Sequence, residues 1–291
     1  MAIILDGKKY SDIICNELYQ QVLSLKKDKH TCPTLSVLLI GENSASKVYV
    51  SSILKKCEKI GFNSVNINLN AETTQSELIS HIKEINEDPD IDGILIQMPL
   101  PKHIDPNAIA CAIAPAKDVD CFNPINFGKL SLGQSSFVPC TPLGAIELLK
   151  RYNIDIQGKN ALVVGRSNIV GKPIASLLLQ ANATVTVAHS RTQNLTELCK
   201  QADILVAAIG KPEFIKGSWI KDGAIVVDVG INSIDDSDSP KGYRIVGDVE
   251  FSEAEKHASY ITPVPGGCGS MTIAMLLNNT LQSKLNSLDL K

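Results

Sequence analysis

The 291-residue chain lacks a charge excess, a paired-cysteine signature and any long apolar run, and each absence removes a class of protein. Lysine and arginine number 28 against 31 acids, a formal net charge of -3. No global basic field surrounds such a chain, which argues against nucleic acid as a partner. The cysteines at 15, 32, 57, 111, 121, 140, 199 and 268 form no C-x-x-C pair, and none stands at zinc-ligand spacing with a histidine, so no metal site is expected. No apolar run approaches the roughly 18 residues of a membrane helix, so no membrane partner is expected. The opening Met-Ala-Ile-Ile-Leu-Asp-Gly-Lys-Lys has an apolar stretch too short for a secretory signal and closed by an acid. The expectation is a cytoplasmic protein with reduced thiols, its cysteines acting as small apolar packing residues. Internal repeats and low-complexity tracts are also missing.

What is present is an alternation of strand and helix patterns in a chain long enough for two domains. The segment 34–40 is β-rich and ends at Gly41; 46–60 reads as a helix closed by Gly61; 63–68 alternates as a strand; 75–86 is helical. Asp92 to Gln97 is a short apolar strand entering the turn Met98-Pro99-Leu100-Pro101. A second unit follows the loop at 133–142: a helix over 143–152, a buried strand 160–165, a helix from about 172, and strands at 184–188, 204–208 and 224–228. A last helix covers 271–285, and the acidic run 235–238 reads as a solvated loop. The βα alternation predicts a mostly parallel sheet and, in the second unit, a doubly wound nucleotide-binding domain.

The strand ending at Gly165 runs into Arg166-Ser167-Asn168-Ile169-Val170-Gly171-Lys172-Pro173. A glycine turn feeding a helix N-terminus brings backbone N–H groups and a positive dipole end to a pyrophosphate. Ser167 occupies the place of the second glycine in G-x-G-x-x-G, so this loop alone also fits an ordinary tight turn. The next strand ends Ala188-His189-Ser190-Arg191. An NAD enzyme places an acid near here for the ribose 2′-hydroxyl. This chain has a hydroxyl and a cation, and Ser190 with Arg166 or Arg191 suits a 2′-phosphate through charge-assisted hydrogen bonds. NADP is the expected cofactor.

Five further segments resist explanation by packing: Gly41 to Tyr49, Asp92 to Pro101, Lys117-Asp118-Val119-Asp120, Pro139-Cys140-Thr141-Pro142 and Pro263-Val264-Pro265-Gly266-Gly267. With Gly-Arg-Ser-x-x-Val-Gly-x-Pro at 165–173, their order resembles the methylenetetrahydrofolate dehydrogenase/methenyltetrahydrofolate cyclohydrolase family over essentially the whole chain. The resemblance implies an N-terminal α/β catalytic domain at 1–140, with the 271–291 helix packing back on it. It also implies a Rossmann-type NADP-binding domain at 141–270 and a substrate cleft between the two. It implies oxidation of 5,10-methylene-tetrahydrofolate with NADP, hydrolysis of the methenyl product to 10-formyl-tetrahydrofolate, and a homodimer. Carried over residue by residue, Tyr49 packs on the folate, Asp120 hydrogen-bonds the pterin, and Gln97 orients substrate or water. Pro99, Leu100, Pro263 and Gly267 line the substrate; Gly165, Arg166, Ser167, Val170, Gly171, Ser190, Arg191 and Ile231 line the cofactor.

The family pattern Ser-x-x-Tyr-x-x-x-Lys is met at Ser46 and Tyr49 but reads Ile53 at the lysine position, with the flanks in register. Cys121 stands at a usual glycine, Cys268 at a usual valine and Ser270 at a usual proline. Isoleucine exchanges no proton, so the sequence points to a dehydrogenase with weak or absent cyclohydrolase activity. A fully bifunctional enzyme is the alternative. A non-catalytic NADP or folate sensor is disfavoured because Tyr49, Gln97, Asp120 and the phosphate loop all remain.

Overall fold

The computed structural model describes residues 1–239 and 242–289, so the final two residues of the helix expected over 271–291 lie outside the described part. Along the chain the elements are β1 (Ile3–Ile4), α1 (Gly7–Lys29), β2 (Thr34–Ile40), α2 (Ser44–Ile60), β3 (Asn63–Leu69), α3 (Gln75–Glu87), β4 (Gly93–Ile96), α4 (Pro106–Ala112), α5 (Pro124–Ser131) and α6 (Cys140–Arg151). There follow β5 (Asn160–Val164), α7 (Gly171–Gln180), β6 (Thr184–Ala188), α8 (Leu195–Gln201), β7 (Ile204–Ala207), β8 (Ile225–Asp228), β9 (Asn232–Asp235), β10 (Tyr243–Val246), α9 (Phe251–His257), β11 (Tyr260–Ile261) and α10 (Cys268–Asp289). The chain divides into two compact units. One comprises Ile13–Cys140 with the segment from Ile273 onward; the other comprises Met1–Asp12 with Thr141–Thr272.

In the first unit three parallel strands lie in the order β3-β2-β4. β2 is central, and its unalternating Thr-Leu-Ser-Val-Leu-Leu-Ile is buried at every position, as a strand covered on both faces requires. β3, one of the two edges, keeps its Asn-rich alternation largely exposed. Leu38, Ile40, Ile94 and Ile96 pack with Leu78, Ile82 and Ile85 of α3 into one core. Local chemistry fixes the helix ends. Asn43 caps α2 by accepting the Ser46 N–H, and Gly61 closes it at φ 78. Thr74 and Glu77 form a capping box on α3.

The main sheet of the second unit has six parallel strands in the order β1-β11-β8-β7-β5-β6. β5 sits between β6 and β7, so the chain reverses its winding there, and the carboxyl ends of these strands form the rim where doubly wound sheets take a ligand. The core beneath is built from Leu162, Val164, Leu205, Ala207, Val226 and Ile261.

Two sequence expectations are corrected. Residues 1–12 group with the six-stranded sheet rather than with the first unit, Ile3 and Ile4 pairing with Tyr260 and Ile261. Two-residue strands carry no period for a sequence to display. The acidic run is not wholly loop: Asp235 closes β9, which pairs antiparallel with β10.

Candidate active site

The run Lys117-Asp118-Val119-Asp120 follows α4, and its charges resolve into different tasks. The Lys117 ammonium donates to the Ile85 and Asp88 carbonyls at the end of α3. Asp118 is buried and accepts from the Phe122 and Asn123 N–H groups and from Asn126 Nδ2, all at 2.9 Å, which folds the loop around it. Asn279 of α10 donates to the Val119 carbonyl at 2.8 Å and the Val138 carbonyl at 2.9 Å, fixing the loop on the side of Asp120.

Asp120 keeps part of its surface open while its carboxyl lies deep. Burial pushes that carboxyl up to about 7 and Asp118 adds to the rise, against the opposing effect of Cys140 beside it. Tyr49, half-buried on α2, shares this cluster. Its phenol is raised by burial first, then by Asp120 and Cys140. The buried face of α2 carries Ser46, Val50, Ile53, Cys57 and Ile60, at helical spacing. Ile53 lies one turn beyond Tyr49 and is 0% exposed. Ser46 donates to the Met98 carbonyl, which also accepts from Gln97 Nε2 at 2.6 Å, and so links α2 to the turn holding Pro99 and Leu100. Gln97, Pro99 and Leu100 thus lie in the same unit as Tyr49 and Asp120. Pro263 and Gly267 lie in the other unit, with every expected cofactor residue.

Cys121 stands in the left-handed region at φ 60, which accounts for glycine being usual there. Cys268 is buried at the start of α10; burial first, then Asp228, pushes its thiol up to about 12. Ser270 is half-buried in the first turn of the same helix.

In the second unit Gly165, at φ 128, ends β5 against the Ala208 carbonyl, and Gly171 packs on the Gly165 carbonyl and the Arg166 backbone. A Cβ at either glycine would overlap backbone atoms, so the turn is a cradle that side chains would fill. Ser167 explains its own presence: its hydroxyl accepts the Val170 and Gly171 N–H groups at 3.2 Å and starts α7. β5 and β6 pair through Val164 and Ala188, so Arg166 and the Ser190-Arg191 turn leave the ends of adjacent strands, all three exposed. Ile231 is 64% exposed just past β8. The cradle therefore fits a dinucleotide pyrophosphate, and the neighbouring cations fit an added phosphate. Sequence reasoning missed Asp228 and Asp248, both buried behind this rim. Among the described residues no group of three or more His, Cys, Asp or Glu is arranged to hold a metal ion.

Two α/β units, one of them a doubly wound sheet with a glycine cradle at its switch point, define a dinucleotide-binding class of protein. Residues 5–120 match the catalytic domain of tetrahydrofolate dehydrogenase/cyclohydrolase, and residues 139–288 match the NAD(P)-binding domain of the same family. The chain is 54% identical over 287 residues to the "Bifunctional protein FolD" of Prosthecochloris aestuarii, covering 97% of each chain. Its fold matches the bifunctional FolD methylenetetrahydrofolate dehydrogenase/cyclohydrolase of Campylobacter jejuni with a TM-score of 0.94 at 48% identity, over 98% of this chain and 99% of that one. It matches the Trypanosoma brucei enzyme, solved with NADP cofactor and an inhibitor, with a TM-score of 0.94 at 40% identity, over 99% and 98% of the two chains. The chain belongs to the tetrahydrofolate dehydrogenase/cyclohydrolase family.

Proposed function

We propose that the chain oxidises 5,10-methylene-tetrahydrofolate to the 5,10-methenyl form with NADP. The observation that carries this reading is the pairing of Tyr49 and Asp120, both on the family's motifs within its catalytic domain, with Cys140 beside them. NADP, when bound, supplies the hydride acceptor. The protein's own task is placement, because the folate nitrogens stabilise the developing cation. Tyr49 packs on the folate, Asp120 accepts from the pterin ring N–H and amino group, Gln97 orients the substrate or water, and Pro99, Leu100, Pro263 and Gly267 line it. Arg166 with Ser190 and Arg191 holds the 2′-phosphate, while Gly165, Ser167, Val170, Gly171 and Ile231 line the dinucleotide.

Relatives named as bifunctional support hydrolysis of the methenyl product to 10-formyl-tetrahydrofolate as the second activity. One observation favours a narrower reading, a dehydrogenase that releases methenyl-folate: Ile53 is fully buried one turn from Tyr49 and brings no proton-transferring group. The experiment is to supply methenyl-tetrahydrofolate directly and follow its loss. Decay well above the buffer rate supports the bifunctional reading, and decay at the buffer rate supports the narrower one. The family resemblance further supports a homodimer. The composition fits a cytoplasmic protein, and the family resemblance supports a role in one-carbon metabolism, whose products would feed purine, histidine, formyl-methionine and methyl-group synthesis.

A further inference from the structure

Two carboxylates lie behind the rim of the six-stranded sheet, Asp228 at 3% and Asp248 at 0% exposure. Asp248 accepts three consecutive backbone N–H groups from the segment leaving β7: Ile209 at 2.6 Å, Gly210 at 2.9 Å and Lys211 at 2.9 Å. Successive N–H groups converging on one point make an anion nest, and here the resident anion is the protein's own. The same carboxylate accepts from Asn232 Nδ2 at 2.9 Å, one residue past Ile231. Asp228 ends β8 and accepts from the N–H groups of Gly230 at 2.9 Å, Asp248 at 3.0 Å and Val249 at 2.8 Å. The pair therefore joins three segments: the exit of β7, the exit of β8 and the strand-like stretch at 247–249. No room is left around it. A Cβ at Gly230 would overlap the Asp248 carboxylate, and one at Gly247 would overlap that of Asp228. Burial pushes Asp228 up to about 7, with Asp248 adding to the rise against the three backbone donors.

The exit of β7 is also the wall of the glycine cradle, since Gly165 packs on the Ala208 carbonyl. Two buried carboxylates served by amides rather than cations are costly to maintain for stability alone. We propose that Asp248, seated on Asp228, is a positioning residue for the part of the cofactor that lies over the β7 and β8 exits, the nicotinamide half, and not for the 2′-phosphate half at β5 and β6. This rests on reading the rim as the dinucleotide site.

The test compares NADP with 2′,5′-ADP, which carries only the adenosine and 2′-phosphate half, by calorimetric titration of the full-length chain. Asp248→Asn keeps the shape but turns an amide toward N–H groups that need an acceptor. It should weaken NADP about tenfold and leave 2′,5′-ADP and the folate KM within about twofold. Asn232→Ala, which leaves the nest intact, should weaken NADP about threefold with the same split, and it carries the test alone if Asp248→Asn does not fold. Equal loss for both ligands, or unchanged NADP affinity in Asn232→Ala, overturns the inference. Wild-type protein that binds neither ligand overturns the dinucleotide reading and this inference with it.

Discussion

The Cys140 thiol donates to the carbonyl of Val119 at 3.4 Å, beside Asp120, and Cys140 acts to hold the Asp120 carboxyl down. Cys140 thus favours the carboxylate, and burial opposes it strongly enough to bring the group to about 7. A functional acid poised near neutrality is the arrangement that makes binding respond to pH.

The sign follows from the donor inventory. In the proposed role, ionised Asp120 would offer acceptors to both pterin donors, whereas the protonated acid would present a competing O–H. kcat/KM for the folate should therefore rise as pH increases through about 7 and level off above it. Asp120→Asn should lower kcat/KM about 10- to 100-fold and remove the inflection. A pH–rate profile of the variant that keeps the same inflection would assign it to another group.

On the proposed reading, cofactor choice turns on Ser190. An aspartate there would face the 2′-phosphate with a like charge while gaining a partner for a ribose hydroxyl. Ser190→Asp should raise the NADP KM by about 10- to 100-fold and lower the NAD KM. Unchanged KM values for both dinucleotides would remove Ser190 from the site.

Ile53 bears on the hydrolytic step. Full burial of an isoleucine stabilises the fold by about 1.5–3 kcal/mol, and its position is dry. A lysine there loses hydration, which lowers an amine pKa by up to ~3–5 units and brings it into the range useful for proton transfer. Ile53→Lys should lower Tm and raise methenyl-folate hydrolysis, by about 100-fold or more if general acid–base catalysis is restored. Hydrolysis no faster than in the parent chain would show that position 53 does not limit the step.

The core of the fold was legible because its strands are short apolar runs bounded by glycine: β2 before Gly41, and β5 before Gly165. α2 was legible through its Gly61 cap. α1 escaped notice, although Ile14, Leu18, Val22 and Leu25 bury one face, because it opens on glycine with no acid in its first turn. Tyr49 and Asp120 were found through motifs, since a helix tyrosine or a loop aspartate means little alone. Asp248 had no local signal at all. Its donors lie 37, 38 and 39 residues back, and only the parallel crossover brings them together. Cys121 was visible as a departure from glycine, but the reason glycine is usual there, φ 60, belongs to the backbone.

The most direct test of the dehydrogenase assignment is the initial rate of cofactor reduction by purified chain with 5,10-methylene-tetrahydrofolate, run in parallel with NADP and NAD. NADPH should form only when the folate is present, with kcat/KM for NADP exceeding that for NAD by about tenfold or more. No reduction of either dinucleotide, or an equal or higher kcat/KM with NAD, would contradict it.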